Sequence, residues 1–513
     1  MENMTIKDIV EATGGVLLCG DENKEIRDFS IDSREGSEDS IFVPIIGERV
    51  DAHRFIEGAL ELNGATFTSE HCPEGEDAAA KGDRIWEQIA KKTGMVKPWI
   101  YVKDTVRAMQ QVGTCYRNRL SLPVVAVTGS VGKTTTREMI ATALSAGKRV
   151  FQTLGNQNSQ IGVPLTLSHM STEDEAAVLE IGMSERGQIE TLTKMIRPDI
   201  AVVTMIGVSH IAQLKSQENI CLEKMDIVKG VPEDGMVFLN GDDPFLVPYR
   251  GRLEQKTFFY GLSDDCDYRA EDIVNGDGQI SFTFCTNDLR LPVTLSTMGE
   301  HNVRNALVAL GVAHQMGVDV SAAAKKLSEF HGQRLKFVRC GRCTVIDDTY
   351  NASPDSMKAS VGVLSSMANV QGRRVAALSD MLELGEDEKR YHYEVGEYIA
   401  EKEIDELVVF GELSREILKG AEEACAERKR PCVRKTADEQ PETAAGVMPG
   451  AAGESAAAVD GQNELVLTEV KDREAMTAYL MRTLRPEDVV LLKASNGMKL
   501  FEVAKALTEQ NVK

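Results

Sequence analysis

The chain has 513 residues, 42% hydrophobic and 27% charged, which is an ordinary folded composition spread over too much length for one core. Lys and Arg number 58 against 80 Asp and Glu, and the resulting charge of −22 excludes a protein that coats nucleic acid or an anionic membrane. No apolar run is long enough to span a bilayer and Met1 to Val10 lacks a secretory core, so membrane insertion is not expected and a cytoplasmic location is.

Residues 1–104 read as a small α/β unit. Ile6 to Thr13 has helical spacing and stops at Gly14-Gly15. Phe29-Ser30-Ile31-Asp32-Ser33-Arg34 is a strand running into a polar loop, and Asp51-Ala52-His53 leads a helix carrying Phe55, Ile56, Ala59 and Leu60. Taken locally, Ser-x-Asp-Ser-Arg is a solvated turn, although a Ser, an Arg and loop N–H groups also suit a diphosphate. The charged stretch from Glu70 to Pro98 reads as a surface insertion.

Residues 105–333 alternate strand and helix, the pattern of a parallel sheet wrapped by helices, whose ligands bind beyond the carboxyl ends of the strands. The organising stretch is Pro123-Val-Val-Ala-Val-Thr128 followed by Gly129-Ser130-Val131-Gly132-Lys133-Thr134-Thr135. A β-branched run, a Gly-containing loop and a helix start form a phosphate cradle, to which Lys133 adds charge and a Thr hydroxyl a Mg²⁺ ligand. Val127 stands where the usual P-loop pattern has an earlier Gly. Further strand ends carry Gly155-Asn156-Gln157-Asn158, then Glu180-Ile181-Gly182-Met183-Ser184, then Gly207-Val208-Ser209-His210. A phosphate loop, a carboxylate and an imidazole at successive strand ends together suit ATP and Mg²⁺. Lys224, in a helix opening at Ser216, reads locally as a surface Lys pairing with Glu223 or Asp226. Phe258 to Leu295 is β-rich, and Gly299-Glu300-His301-Asn302-Val303-Arg304-Asn305 opens a helix whose Asn side chains are caps or readers of an adenine edge.

Residues 334–513 form a third, Rossmann-like alternation without the Gly-rich dinucleotide fingerprint, so no NAD is expected. Asp347-Asp348-Thr349-Tyr350-Asn351-Ala352-Ser353-Pro354-Asp355 is a polar loop capping a helix, and Lys493 follows a strand. Residues 435–463, rich in Ala, Gly, Pro and Glu, read as a disordered insertion. The ten Cys are scattered as reduced thiols, and Cys340-Gly-Arg-Cys343 reads as two thiols flanking a β-turn, since no second close pair completes a zinc ribbon.

Thr-Gly-Ser-x-Gly-Lys-Thr-Thr, Gly-Asn-x-Asn-x-x-Ile-Gly-Val-Pro, Glu-x-Gly-Met-Ser and His-Asn-x-x-Asn-Ala, in this order, make the chain resemble the Mur ligases of bacterial cell-wall synthesis. Asp-Asp-x-Tyr-Asn-Ala-x-Pro-Asp-Ser-Met and Asp-Met-Leu-Glu-Leu-Gly-Glu resemble the branch that joins D-alanyl-D-alanine to UDP-N-acetylmuramoyl-tripeptide. The resemblance implies three α/β domains: an N-terminal UDP-sugar domain, a central P-loop-type ATPase domain with a mostly parallel sheet, and a C-terminal Rossmann-like ligase domain. It implies ATP on Gly129 to Thr135 and Lys133, two Mg²⁺ on Thr134, Glu180, His210 and Lys224, and CO₂ held as a carbamate on Lys224. It further implies adenine at His301, Asn302 and Asn305, ribose at Asp348 and phosphates at Arg334. Substrate falls to Ser30, Asp32, Ser33, Arg34, Asn156, Asn158, Ser184 and Lys493. The expected chemistry is ATP-dependent amide ligation through an acyl phosphate, by a monomer. A sister ligase adding a single amino acid, or a non-catalytic nucleotide-binding relative, shares much of this pattern. Met205, Ala52, Ala494 and Asn496 depart from what such relatives often carry.

Overall fold

A computed structural model describes residues 1–70, 96–276, 278–332, 334–341, 343–368, 370–436 and 464–509. The expected insertion at 70–98 therefore lies outside the described residues except at its two ends, and that at 435–463 except for Lys435 and Thr436. The architecture is α/β, built on three sheets.

The first sheet orders its strands β1 (Val16–Cys19), β5 (Trp99–Tyr101), β4 (Ala65–Thr68), β3 (Ser40–Phe42) and β2 (Asp28–Ser30), parallel except at β1. The helix Ile6–Thr13 begins at a Thr5 capping box and ends on left-handed Gly14, as its sequence predicts. The helix expected after Asp51 is shorter than its spacing suggests. It is a 3₁₀ turn, Ala52–Phe55, followed by a single α-turn, Ile56–Ala59, which closes where Asn63 Nδ2 donates to the Ala59 carbonyl.

The second sheet carries β7 (Val150–Gln152), β8 (Ala176–Glu180), β6 (Val124–Thr128), β9 (Ile200–Val203), β10 (Met236–Asn240) and β11 (Lys256–Gly261) as parallel neighbours. β12 (Tyr268–Asn275), β13 (Ile280–Cys285) and β14 (Arg290–Leu295) extend it, the last two antiparallel. β6 is buried on both faces. Val125 and Val127 pack toward the helices Lys133–Leu144 and Glu300–Gln315, while Val124 and Ala126 belong to the apolar cluster that holds the helix Thr105–Arg119 and runs on into the first sheet through Ile41, Phe67 and Ile100. From β6 the chain crosses to β7 and β8 on one side and then to β9 on the other, so the strand order reverses at the end of β6. A parallel sheet opens its ligand crevice at such a point.

The third sheet runs β15 (Lys336–Cys340), β16 (Cys343–Asp347), β21 (Asp488–Lys493), β17 (Arg374–Ser379), β18 (Glu406–Phe410), β20 (Leu465–Glu469) and β19 (Cys432–Thr436), parallel except for the β15–β16 hairpin. Cys340 and Cys343 face each other across that turn with their Sγ atoms 3.5 Å apart, the arrangement expected from the sequence. Val208 and Met298, from loops of the second sheet, are buried in a cluster of the third sheet's core and fix the two units against each other.

Candidate active site

β6 ends in a loop held by its own backbone and by the end of β9. Ser130 N–H donates to the Met205 carbonyl at 2.8 Å, and Thr204 Oγ1 donates to the Val131 carbonyl at 2.6 Å. The departure at Met205 leaves this staple intact, because it uses the backbone oxygen, and Met205 also lines the cavity beyond the loop. Gly129 has φ +150°, and a Cβ there would lie 1.8 Å from Thr204 Oγ1, so the loop can approach β9 only with glycine. Gly132, at φ 87°, begins the helix Lys133–Leu144.

Two ammonium groups meet on one carbonyl. Lys133 Nζ donates to Gly129 O at 2.8 Å and Ser130 O at 3.3 Å, and Lys224 Nζ donates to the same Gly129 O at 2.9 Å. Lys224 is 2% exposed. Burial and the Lys133 charge hold its amine well below the usual lysine range, and Glu223 opposes them only weakly. The local reading of Lys224 as a surface residue paired to Glu223 or Asp226 is corrected by this geometry. Glu223 instead accepts the N–H groups of Gly187 and Ile189 at the start of the helix Gln188–Ile196, and Asp226 pairs with Lys229 at 2.9 Å.

Glu180 ends β8 opposite Val127, one residue before the loop-bearing end of β6. Its Oε1 accepts from Asn158 Nδ2 at 2.7 Å. Oε2 is buried without a hydrogen bond, the Arg137 Nε lying 3.8 Å away. The Glu180 charge raises the Lys133 pKa while burial and Arg334 lower it, which sets carboxylate, ammonium and guanidinium around one centre. His210 is pushed down to about 4 by burial and then by Lys224 and Lys133, so its imidazole is neutral at pH 7. Its buried Nδ1 lacks a hydrogen bond, with Glu383 Oε2 approaching to 3.4 Å outside hydrogen-bonding geometry.

Beyond the loop lies a cavity of about 400 Å³ walled by the second and third sheets together. Ser130, Val131, Gly132, Lys133, Thr134, Thr135, Asn158 and Glu180 line one side, and His301, Asn302, Asn305, Arg334, Asp348 and Lys493 line the rest. Gly129, His210 and Lys224 do not line it, the first two lysine contacts placing Gly129 and Lys224 beneath the loop. Several of the lining groups are already engaged. Asn305 Oδ1 accepts from Thr136 Oγ1 at 2.9 Å and its Nδ2 donates to Asn302 Oδ1 at 3.3 Å, while Asn302 Nδ2 donates to the Met298 carbonyl at 2.8 Å. Neither Asn caps its helix, since the N-cap is Gly299. Asp348 Oδ2 accepts from Lys493 Nζ at 2.5 Å and from Ser360 Oγ at 2.6 Å, a buried ion pair. The Arg334 guanidinium stacks on the Tyr350 ring. His301 is pushed down to about 4 by burial.

Ser30, Asp32, Ser33, Arg34, Asn156 and Ser184 are not brought to this cavity. The Ser30 hydroxyl donates to the Asp32 and Glu35 carbonyls within its own loop, and Arg34 grips Asp32 through Nε at 2.9 Å and Nη2 at 2.6 Å. Asn156 and Ser184 are exposed. Asn240, Tyr350 and Asp355 line the cavity without having been singled out from sequence. Asn240 was readable as a strand-end residue, and its Nδ2 secures the Thr204 carbonyl at 2.9 Å. Among the described residues the one trio with metal-ligand spacing is Asp51, His53 and Glu70, where His53 already uses Nδ1 on Asp51 at 2.7 Å and Nε2 on the Ser69 N–H at 3.0 Å.

Comparison with known proteins gives two family matches: the Mur ligase middle domain over residues 127–313, and the Mur ligase glutamate ligase domain over 333–496. The UDP-N-acetylmuramoyl-tripeptide--D-alanyl-D-alanine ligase of Bacillus subtilis is 32% identical over 99% of both chains. Among solved structures, MurF from Acinetobacter baumannii superposes with a TM-score of 0.80 at 24% identity over 99% of each chain. MurF from Thermotoga maritima in complex with ADP gives 0.73 at 25% identity, over 94% of this chain and 97% of that one.

Proposed function

The chain belongs to the Mur ligase family, and from that premise we propose that it is the ligase that joins D-alanyl-D-alanine to UDP-N-acetylmuramoyl-tripeptide with conversion of ATP to ADP and phosphate. The observation that carries the reading is the convergence, at the switch point of the parallel sheet, of a phosphate loop, a buried carboxylate with an unused oxygen and a neutral imidazole around Lys133 and Lys224. A full-length relative bearing that name selects this branch over one adding a single amino acid.

The residues fit divalent metal. The orphaned Glu180 Oε2 is a hard oxygen donor, the Thr134 hydroxyl stands at the helix start, and His210 is neutral, as a ligand must be. Lys224 as an ammonium opposes a cation, but burial and the Lys133 charge lower its proton affinity, which favours losing that proton and taking up CO₂, a change that reverses its sign to that of a carboxylate. Bound Mg²⁺ would supply charge neutralisation on the transferring phosphoryl group. Residues 129–135 hold the nucleotide phosphates, His301, Asn302 and Asn305 face the base, Asp348 the ribose and Arg334 the phosphates. The loop at Ser30, Asp32, Ser33 and Arg34 takes the UDP-sugar, and Asn156, Asn158, Ser184 and Lys493 the substrate peptide. We divide the chain at 1–104, 105–333 and 334–513, around the three sheets, and take it to act as a cytoplasmic monomer.

A carboxylate is a poor acyl donor. In the first step the tripeptide's terminal carboxylate oxygen attacks the γ-phosphorus and ADP leaves, with Lys133 stabilising the charge that spreads over the phosphoryl oxygens. In the second, the dipeptide amine attacks the acyl carbon and phosphate leaves with the bonding pair. The third domain's wall of the cavity shields the acyl phosphate from water. Phosphate release should require ATP, UDP-N-acetylmuramoyl-tripeptide and D-alanyl-D-alanine together. Release with a single amino acid and a shorter acceptor instead would assign the chain to a sister branch, and nucleotide binding without acceptor-dependent turnover would make it a non-catalytic relative.

A further inference from the structure

The second step of the proposed reaction needs a group that takes a proton from the attacking amine, and the lysines, imidazole and metal ligands of the phosphate loop serve the first step. Asp355 lies in the first turn of the helix Pro354–Ser366, where an acidic residue ordinarily serves the helix end. Ser353 caps the same helix start through a capping box with Ser356, and the Asp355 carboxylate takes its own backbone N–H there. Asp355 also lines the cavity. It rests on Gly207 so closely that a Cβ there would lie 2.5 Å from Oδ2 and 3.3 Å from Ser130 Cβ, which seats the carboxylate beside the phosphate loop. Among the described residues no other residue donates a hydrogen bond to it, and the nearest cation on its own helix, Lys358, pairs with Glu394 at 3.4 Å. A carboxylate beside a polyanion site repels phosphate and attracts an ammonium.

Resting on the functional reading above, we propose that Asp355 is the general base of the amide-forming step: its carboxylate receives the ammonium end of D-alanyl-D-alanine and accepts its proton. Asp355 takes one proton from the ammonium, the freed amine nitrogen bonds to the acyl carbon, the carbon–oxygen bond to phosphate breaks with its electron pair going to phosphate, and the second proton of that nitrogen leaves with the phosphate. The groups that face this carboxylate suit the task. Burial raises its proton affinity, Lys358 and the hydrogen bond from its own backbone N–H oppose that, Asp243 and Glu394 add to it, and the net shift is upward. Glycine at 207 leaves the room the carboxylate occupies.

The test separates the two steps in full-length enzyme with Mg²⁺ and ATP. With UDP-N-acetylmuramoyl-tripeptide alone, Asp355→Asn should keep the rapid ADP burst that reports acyl phosphate formation. With D-alanyl-D-alanine, its kcat should fall by about 100-fold or more and the acid limb of the pH profile should disappear. Hydroxylamine, already unprotonated at neutral pH, should still be turned into hydroxamate, and Asp355→Glu should recover part of the amide formation. Loss of the ADP burst together with amide formation would overturn the proposal by placing Asp355 on the phosphoryl or metal side. Undiminished amide formation would overturn it as well. Wild-type enzyme that forms hydroxamate but no dipeptide product would overturn the functional reading and this inference with it.

Discussion

Replacing Lys224 by Met separates a residue kept for chemistry from one kept for the fold. The stem of Lys224 is buried and its ammonium makes one hydrogen bond, to Gly129 O at 2.9 Å, with Lys133 on the same oxygen. Losing that charge-assisted bond costs about 1.5–3 kcal/mol. Against this, Met removes a buried charge whose desolvation costs several kcal/mol, together with its repulsion from Lys133, and it fills the same volume. The balance predicts thermal stability no lower than wild type. The same change removes the group proposed to carry CO₂, and we expect turnover to fall by at least about 100-fold, or about 2.7 kcal/mol in the barrier. Thermal unfolding, phosphate release under saturating substrates and native mass spectrometry in bicarbonate buffer read the three quantities. A variant that melts well below wild type and loses activity only in proportion to its folded fraction would refute the reasoning. So would one with wild-type turnover.

Gly129→Ala should weaken nucleotide binding by about 100-fold, since a side chain at positive φ adds strain to the overlap with Thr204 Oγ1, and Thr204→Ala in the same chain should restore part of it; titration calorimetry with ADP checks both. Lys493→Met leaves the partly buried Asp348 carboxylate with Ser360 as its remaining side-chain partner and should lower stability by about 1–3 kcal/mol, whereas the double change with Asp348→Asn should recover most of the loss in chemical unfolding. His301 and His210 both have folded pKa values near 4 against 6.5 when free, so the unfolded chain binds more protons between those values. Stability of metal-free protein should therefore fall as pH drops from 6.5 toward 4 and level off below, and His301→Gln should flatten part of that slope in urea midpoints.

What could be read from the sequence followed from neighbours along the chain. The β6 strand, its loop and Lys133 are contiguous, and Glu180 and His210 were legible because a parallel sheet presents its strand ends on one edge. Lys224 was not legible from its own helix. Which way it points depends on Glu223 and Asp226 being claimed by Gly187, Ile189 and Lys229, contacts that no local pattern encodes. Asn302 and Asn305 showed their residue type but not their partners, because one is the Thr136 hydroxyl on a helix distant in sequence and the other the Met298 carbonyl of the preceding loop. Asp355 was hidden for the opposite reason, since an acid at a helix start has an ordinary meaning and only the fold shows that it also lines the cavity, against Gly207.

The site is held in a state that the protein alone does not favour. Lys133, Lys224 and Arg334 crowd one phosphate loop, and Glu180 is the carboxylate whose charge offsets Lys133. In a chain of net charge −22 this local excess of cations is the reverse of the average, so it reflects selection of position and not of composition. Its cost is met by the surrounding frame: β6, β8 and β9 buried along their length, and hydrogen bonds to the Met205 carbonyl and from the Thr204 hydroxyl that fix the loop before any ligand arrives. Donors fixed in advance need no reorganisation when charge develops on the phosphoryl group, and in a cavity closed by a second sheet they act at low dielectric. The free protein is therefore less stable than one with those charges removed, and the difference is available to the nucleotide, the metal and the developing transition state.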